Sequence, residues 1–335
     1  MHAKGDPQPG RNIVRALVRT RESAIFLALV LLMTVIGIAA PNFLGAGNLY
    51  LVSRQISFVA IVALGELFVI LTGGIDLSVG SVLGLASVGA ATLLVNNDVG
   101  VAVMVVAVLA IGLGFGLLQG FASARFGIQA FIVTLAGMQI ARGLARIWSG
   151  GQGISITYGD GPGQAPVVFS LLGERTFNGL VPIPALIFIV IAALAVVLLR
   201  VSAFSRHVYA IGGNEKAARL SGVPVTRVKI VVFGICGLLA ALAGIVHAGQ
   251  LNFGAPNDGA MYELDAIAAV VIGGTSLMGG RGSVVGTVAG ALLVGVLRNI
   301  LALNNIDSNI QLLIIGLVIV LAAGLQRLRP ASVSS

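Results

Sequence analysis

Long apolar runs alternate with short polar segments along almost the whole chain. Most runs hold close to the 20 or so residues that an α-helix needs to cross the hydrocarbon core of a membrane. Because a helix bonds its backbone groups to one another, it is the form such a run takes in lipid. The pattern therefore predicts about ten transmembrane helices, at residues 24–40, 56–72, 76–95, 100–123, 127–147, 183–201, 229–250, 263–279, 283–303 and 310–326.

The composition of the chain supports the same class of protein. Hydrophobic residues make up 57% of the 335 positions and charged residues only 10%, whereas a soluble domain has about 25% charged residues. Such a chain has too few polar side chains to cover a surface that faces water. We therefore predict an all-α integral membrane protein with one membrane domain over residues 24–326, a cytoplasmic N-terminal segment 1–23 and a cytoplasmic tail 327–335.

The net charge of +8 arises from basic residues that lie in short clusters between the apolar runs. They form no basic face interleaved with aromatic residues, which a nucleic-acid interface requires, so we expect no nucleic-acid partner. Cytoplasmic loops of membrane proteins are enriched in Lys and Arg. Placing both termini of a ten-span chain in the cytoplasm puts most of the 20 basic residues there.

The predicted cytoplasmic loop 202–228 contains a short helix with a marked start and end. Asn214 is a good N-cap, Glu215 complements the positive helix end, and Gly222 suits the left-handed position after the helix. Ala217, Ala218 and Leu220 give the helix a small apolar surface. A capped helix with such a surface can dock in a partner's groove, and this favours docking over the alternative of a solvated connector. The residues assigned to docking are Gly212, Gly213, Asn214, Glu215, Ala217, Ala218, Arg219, Leu220, Ser221 and Gly222.

Three blocks of sequence carry a resemblance to a known family. Residues 212–224, 71–81 (LTGGIDLSVGS) and 263–283 (ELDAIAAVVIGGTSLMGGRGS) occur in the family's order. With these blocks, the chain resembles the permease subunits of the ribose/xylose/galactose ABC transporter family over about residues 24–326. The resemblance implies the type II ABC importer architecture, with ten transmembrane helices in each subunit.

The resemblance also implies a function and a set of partners. Residues 212–222 would be the coupling helix that a cytoplasmic ABC ATPase subunit receives. The chain would pair with a second permease copy, most simply as a homodimer, and a periplasmic sugar-binding protein would dock outside. The implied location is the bacterial inner membrane, in contact with lipid, and the implied activity is import of a monosaccharide by alternating access.

The positions of the lysines indicate that another polypeptide binds ATP. A P-loop needs Gly-x-x-x-x-Gly-Lys followed by Ser or Thr. Lys4, Lys216 and Lys229, the only lysines, precede Gly, Ala and Ile. We therefore expect no cofactor and no catalytic residue in this chain, and a partner subunit that hydrolyses ATP.

Acidic residues in or beside the predicted spans are candidates for the substrate pathway, because ionisable groups are costly in a membrane. Asp76 and Glu263 also suit helix capping, whereas Glu66 lies in mid-span and suits a polar contact inside the bundle. An alternative function is ion-coupled symport of a sugar or another small solute through Glu66 or Asp76. The pathway candidates are Glu66, Asp76, Ser78 and Asp265.

Three residues are candidates for contact with the sugar-binding protein. Arg142 and Arg146 are four apart, so they share one helix face near the predicted outer end of a span. Asp258 lies in a predicted external segment. The two arginines equally suit contact with lipid headgroups, where long basic side chains reach the interface.

A short internal similarity joins two parts of the chain. Gly73-Gly74 followed by GSVLG at 80–84 resembles Gly273-Gly274 followed by GSVVG at 282–286. Transporters are often built from repeats, but two glycine-rich packing segments can also match by chance. In the predicted topology the two copies run in the same direction.

Overall fold

The computed structural model describes residues 21–39, 41–176 and 181–328. The predicted terminal segments 1–23 and 327–335 lie almost entirely outside the described residues. Apart from four two-residue strands, the elements of the described chain are helical, as predicted. The helices are α1 (Arg21–Ala39), α2 (Ala46–Leu71), α3 (Val79–Ala91), α4 (Val101–Phe126), α5 (Ala130–Ser149), α6 (Ile183–Val201), α7 (Ala203–Gly213), α8 (Glu215–Leu220), α9 (Val225–Leu251), α10 (Tyr262–Ile272), α11 (Val284–Leu303) and α12 (Ser308–Leu328).

Seven helices are long and apolar enough to cross a membrane within the described part of the chain. They are α2, α3, α4, α5, α6, α9 and α11. Helix α3 reaches this length because a π-helical turn extends it to Asn96. Within α12, Ser308–Leu321 forms a shorter apolar helix. The structure thus supports a helical membrane protein, but the predicted count of about ten spans is not confirmed.

The predicted span 263–279 is wrong as a single long helix. The helix there is α10, whose 11 residues correspond to about 16 Å at 1.5 Å per residue. The hydrocarbon core is about 30 Å thick. The helix stops because Gly273 caps it and Gly274 adopts a φ of 88°, which interrupts the helical backbone.

The predicted span 56–72 begins too late. Helix α2 starts at Ala46, and Arg54 lies within it. The guanidinium of Arg54 donates a hydrogen bond to the carbonyl oxygen of Gln250, in the last turn of α9. The charge interrupts the apolar pattern but not the helix, because a neighbouring helix supplies its partner.

Helix α9 lies at the centre of the bundle and packs against α2, α3 and α4. The approach of α9 to α4 depends on small residues, because a methyl group at Gly116 would overlap the carbonyl oxygen of Phe233. Glycine faces of this kind allow membrane helices to pack closely. The outer faces of α4, α5 and α6 instead expose apolar side chains such as Val106, Leu118 and Val197, as expected for contact with lipid.

Two helix–turn–helix units share one backbone motif at corresponding positions. In the first unit, α2 leads through the first glycine turn (residues 72–78) to α3. In the second unit, α10 leads through the second glycine turn (residues 273–283) to α11. The Gly74 amide donates to the Val69 carbonyl at 3.1 Å, and the Thr275 amide donates to the Val270 carbonyl at 3.1 Å.

The two glycine turns also have a left-handed glycine at the same place. Gly73 has a φ of 78° and Gly274 a φ of 88°, which is the geometry of a helix that ends in a Schellman motif. The turns meet at one end of the bundle, where the Gly280 amide donates to the Leu71 carbonyl at 3.0 Å. The shared backbone motif pairs Gly73 with Gly274, whereas the sequence similarity pairs Gly73 with Gly273, so the two matches differ by one residue.

The long loop between α5 and α6 contains three of the four short strands. Strand β1 (Ile154–Ser155) pairs antiparallel with β4 (Phe253–Gly254), which follows α9. Strands β2 (Arg175–Thr176) and β3 (Val181–Pro182) form a second antiparallel pair. The first glycine turn lies near the start of α9, beside Lys229 and Phe233, whereas β4 follows its end. Helix α9 is about 40 Å long, so the strand pairs lie at the end of the bundle opposite the glycine turns.

Candidate coupling segment and buried polar sites

The predicted docking helix is present, and its caps are those that the sequence indicates. Helix α8 spans Glu215–Leu220, and the Asn214 side chain accepts a hydrogen bond from the Ala217 amide at 3.0 Å. Gly222 follows the helix with a φ of 82°. A six-residue helix is too short to be stable alone, so these caps and its contacts with the bundle hold its shape.

Two details of the predicted docking surface are corrected by the structure. Gly212 and Gly213 are the last residues of α7, so they belong neither to an open loop nor to the docking helix α8. Ala218 is buried at 5% exposure, whereas Leu220 is 90% exposed. The helical period turns Ala218 toward the bundle, so Leu220, rather than an Ala217–Ala218 pair, is the main apolar group on the outer face.

Glu215 attaches α8 to the start of α9. Its carboxylate lies 2.6 Å from the ammonium of Lys229 and 3.2 Å from the guanidinium of Arg219. Burial raises the pKa of Glu215, but the hydrogen bond and charge of Lys229, together with those of Arg219, hold the pKa below its usual range. The carboxylate is therefore charged at neutral pH and fixes the position of the helix.

A groove opens beside α8. It has a volume of about 280 Å³ and lies between the first glycine turn, the turn that joins α4 to α5, and α8 itself. Gly127 and Gln129 line one side, and Glu215, Arg219 and Lys229 line another. The groove is large enough to receive a side chain of another protein, and Leu220 of α8 adds an exposed apolar group.

Three of the predicted pathway residues meet at the first glycine turn. The Glu66 carboxyl accepts a hydrogen bond from the Asp76 amide at 3.0 Å. The Asp76 carboxyl accepts from the Ser78 amide at 2.8 Å and from the Ser78 hydroxyl at 2.6 Å. Gln119 of α4 donates to the Ser78 hydroxyl at 2.9 Å. All four side chains are buried, so the network organises the turn from within.

The structure separates Asp265 from this network. Its carboxylate is 2% exposed and accepts a hydrogen bond from the Arg298 guanidinium of α11 at 2.6 Å. Phe58 and Tyr262 stack beside the pair with ring centroids 5.4 Å apart. The cavity at this point has a volume of about 40 Å³, close to the share of one water molecule. Glu263, predicted as a cap, lies in the first turn of α10, whose N-cap is Met261.

Arg142 and Asp258 meet inside the opposite end of the bundle. The Arg142 guanidinium donates to the carbonyl oxygens of Pro256 at 2.5 Å and Asp258 at 3.1 Å. The Asp258 carboxyl accepts from the Ser87 hydroxyl at 2.6 Å and from the Ala255 amide at 2.8 Å. These contacts fix the segment that joins α9 to α10, and no local sequence signal indicates that Ser87 takes part.

Arg146 differs from Arg142 in its exposure. It lies on the surface of α5, and its guanidinium donates to the Asn257 side chain at 3.3 Å. The shared helix face predicted for the two arginines is present, but of the two only Arg146 is exposed, together with its partner Asn257. Among the described residues, no group of His, Cys, Asp and Glu is arranged to hold a metal ion.

These features define a class of protein: a polytopic helical membrane protein with polar networks inside its core and an exposed, capped helix at one end. Residues 48–323 match the family model described as "Branched-chain amino acid transport system / permease component". The match covers more than half of the chain.

Individual relatives match over nearly the same region. The chain is 41% identical to the ribose import permease protein RbsC of Escherichia coli (strain K12) over 301 residues, which cover 90% of this chain and 92% of the relative. It is 41% identical to RbsC of Bacillus subtilis (strain 168) over 315 residues, covering 91% and 92%. It is 34% identical to the xylose transport system permease protein XylH of Haemophilus influenzae over 352 aligned positions, covering 89% and 94%.

The chain belongs to this family of ABC importer permeases, as its three sequence blocks predicted. The matched region includes both glycine turns, α8 and the polar networks. No solved structure matches the chain.

Proposed function

We propose that this chain is the permease subunit of an ATP-driven importer of a monosaccharide of the pentose class. The relatives that cover about nine tenths of the chain are named as permeases for ribose and xylose. The exposed α8 supports a role in receiving energy from a partner, because it has capped ends, a charged attachment to α9 and a free apolar side chain. That combination is the observation on which the proposal rests.

The partner at α8 is a cytoplasmic ABC ATPase subunit. Leu220 and the groove beside α8 supply the apolar group and the recess that a docking surface needs. Glu215 holds α8 against α9, so a movement of α8 passes to the central helix of the bundle. ATP binding and hydrolysis would thus switch the bundle between its two access states. In this proposal the chain lies in the inner membrane of a bacterium, with α8 and both termini in the cytoplasm.

Two further partners complete the importer. A periplasmic sugar-binding protein docks at the opposite end, where Arg146 and Asn257 offer exposed polar groups. Arg142 and Asp258 support this surface from inside by fixing the backbone of residues 255–258. A second copy of the chain completes the pathway as a homodimer, and the remaining apolar faces contact lipid.

Purification of the complex tests the docking role of α8. We expect Leu220→Asp and Arg219→Glu to lower the amount of ATPase that copurifies with the permease, while detergent-purified permease keeps its thermal stability. Val167→Asp is the matched control, since Val167 is an apolar residue 58% exposed in the loop before α6 at the opposite end. Full recovery of the ATPase with both α8 variants would contradict the proposal.

A further inference from the structure

The end of α7 touches the last residue of α2 and the second glycine turn through one small backbone contact. It consists of Gly212, Leu71, Gly279 and Gly280, and we call it the glycine contact. The Gly280 amide donates to the Leu71 carbonyl at 3.0 Å. A methyl group at Gly212 would overlap both of those atoms. Only a residue without a side chain therefore lets α7 rest on this hydrogen bond.

The second glycine turn is shaped to receive α7. Gly279 and Gly280 have φ values of 85° and 70°, a conformation that residues with side chains rarely adopt. A methyl group at Gly279 would lie 2.9 Å from the Gly212 Cα and 2.9 Å from the Gly73 amide nitrogen. The Tyr209 hydroxyl of α7 also donates to the Gly282 carbonyl at 2.9 Å.

The glycine contact therefore joins the segment that carries α8 to both helix–turn–helix units at once. Asn214 ends α7 and begins α8, so the two helices are consecutive with a single residue between them. Leu71 is the last residue of α2, and the turn 273–283 joins α10 to α11. Close-packed backbone contacts transmit displacement because they have no flexible side chain to absorb it.

We propose that the glycine contact is the positioning element that transmits the movement of α8 to α2, α10 and α11. This inference rests on the proposed function, since it assigns the route by which energy from the ATPase reaches the bundle. Glu215 and Lys229 provide the parallel route to α9. Gly212, Gly279 and Gly280 are thus coupling residues that contact neither nucleotide nor sugar.

Two neighbouring glycines provide a matched test. A methyl group at Gly213 would have no atom within 4 Å, whereas one at Gly212 would overlap two backbone atoms. Both glycines are helical and lie next to each other in α7. The variants Gly212→Ala and Gly213→Ala therefore add the same group one residue apart, and only the first displaces the glycine contact.

The measurements use the complete importer in proteoliposomes with the ATPase subunit and the sugar-binding protein. For Gly212→Ala we expect the ATPase to remain bound and to hydrolyse ATP, while ribose taken up per ATP hydrolysed falls about tenfold, within the range of typical coupling between sites. Gly213→Ala should match the wild type in both rates. Equal uptake per ATP in the two variants would overturn the role of the glycine contact.

A second variant and a measurement on the wild type keep the test decisive if Gly212→Ala does not assemble. Tyr209→Phe removes only the hydroxyl that donates to Gly282, and we expect a smaller loss of uptake per ATP with intact assembly. In the wild-type complex, amide exchange of residues 276–282 should differ between the nucleotide-free and the vanadate-trapped states. An unchanged exchange pattern together with full coupling in Tyr209→Phe would overturn the inference.

The outcomes separate this inference from the proposed function. If the wild-type chain binds no ATPase, or takes up sugar without ATP, the proposed function fails. If the wild type couples uptake to ATP and Gly212→Ala does so equally well, only the glycine contact loses its role.

Discussion

The two glycine turns share a backbone but differ in what holds them. The first turn, residues 72–78, is fixed from inside by the carboxyls of Glu66 and Asp76, which accept hydrogen bonds from its own amides. The second turn, residues 273–283, is contacted from outside by α7, through Gly212 and Tyr209. Met278 at its tip is 86% exposed.

This difference indicates that the two helix–turn–helix units have different roles. Buried hydrogen-bonded networks make a local structure rigid and specific, so the first turn serves as a fixed support. The second turn depends on a neighbouring element that itself carries α8. A displacement of α8 would therefore act first on the second turn and on the helices α10 and α11 that it joins.

The largest expected loss of stability comes from disrupting the ion pair between Asp265 of α10 and Arg298 of α11. Arg298→Met leaves Asp265 buried without its partner, which costs about 3 kcal/mol or more of stability. Asp265→Asn costs less, because Asn keeps a hydrogen-bond acceptor and the Arg298 side chain is 27% exposed. Thermal unfolding of the purified chain in detergent checks the order. A loss with Arg298→Met that is no larger than with Asp265→Asn would contradict the claim that an unpaired buried carboxylate dominates the cost.

A smaller loss of stability is expected when the Glu66 carboxyl, which holds the first glycine turn, is removed. Glu66→Leu fills a similar volume but leaves the Asp76 amide buried without its acceptor, which costs about 1–3 kcal/mol. Glu66→Gln retains an oxygen at that place and is the control. A Glu66→Leu variant as stable as Glu66→Gln would contradict the view of the first turn as an internally fixed support.

The Glu66→Gln variant also tests the symport alternative. In an ATP-driven importer, uptake by Glu66→Gln should still follow ATP hydrolysis and ignore an imposed proton gradient. Uptake that follows the gradient in the wild type and collapses in Glu66→Gln would instead assign proton coupling to Glu66.

The smallest expected effect concerns the attachment of α8. Because the pKa of Glu215 is lowered in the folded chain, its ion pair stabilises α8 above the unfolded pKa of about 4.3. That stabilisation is lost as the pH falls through the lowered pKa. Glu215 is 41% exposed, so the contribution at neutral pH is below about 1 kcal/mol.

A spin label at Ser221→Cys follows this attachment directly, with Cys236→Ser removing the only native cysteine. We expect the label to gain mobility at acid pH in this background. Adding Glu215→Gln should make the label mobile at every pH. A label whose mobility is the same at neutral and acid pH would show that Glu215 does not hold α8.

Local signals in the sequence were sufficient to predict helix α8 and both of its ends. An N-cap, a charge in the first turn and a glycine after the last turn act within a few residues of one another. The same kind of signal placed Asp76 at the start of a helix. Its carboxyl does accept the amide of Ser78, the N-cap of α3.

Contacts between distant parts of the chain were not predictable in this way. Nothing near Arg54 in the sequence indicates that Gln250 accepts its hydrogen bond. The apolar pattern therefore predicts a start for α2 that is ten residues too late. The pairing of Asp265 with Arg298 joins residues 33 positions apart. The burial of Ala218 likewise depends on how α8 lies against the bundle.

The two glycine pairs of the internal similarity both mark the ends of helices. Gly73-Gly74 and Gly273-Gly274 each follow a buried helix, where a left-handed residue stops the helical backbone. An apolar run that continues past such a pair, as at 263–279, looks like one span in a hydropathy profile. The length of a run therefore predicts a crossing less well when a glycine pair interrupts it.

The account depends most on α8 facing the compartment that contains the ATPase. Leu220→Cys in the Cys236→Ser background gives a single exposed thiol, which a membrane-impermeant maleimide can reach from only one side. We predict that the thiol in inside-out vesicles reacts until the ATPase subunit is added, and that in right-side-out vesicles it stays unlabelled. Labelling from the periplasmic side, or labelling that the bound ATPase leaves unchanged, would contradict the account.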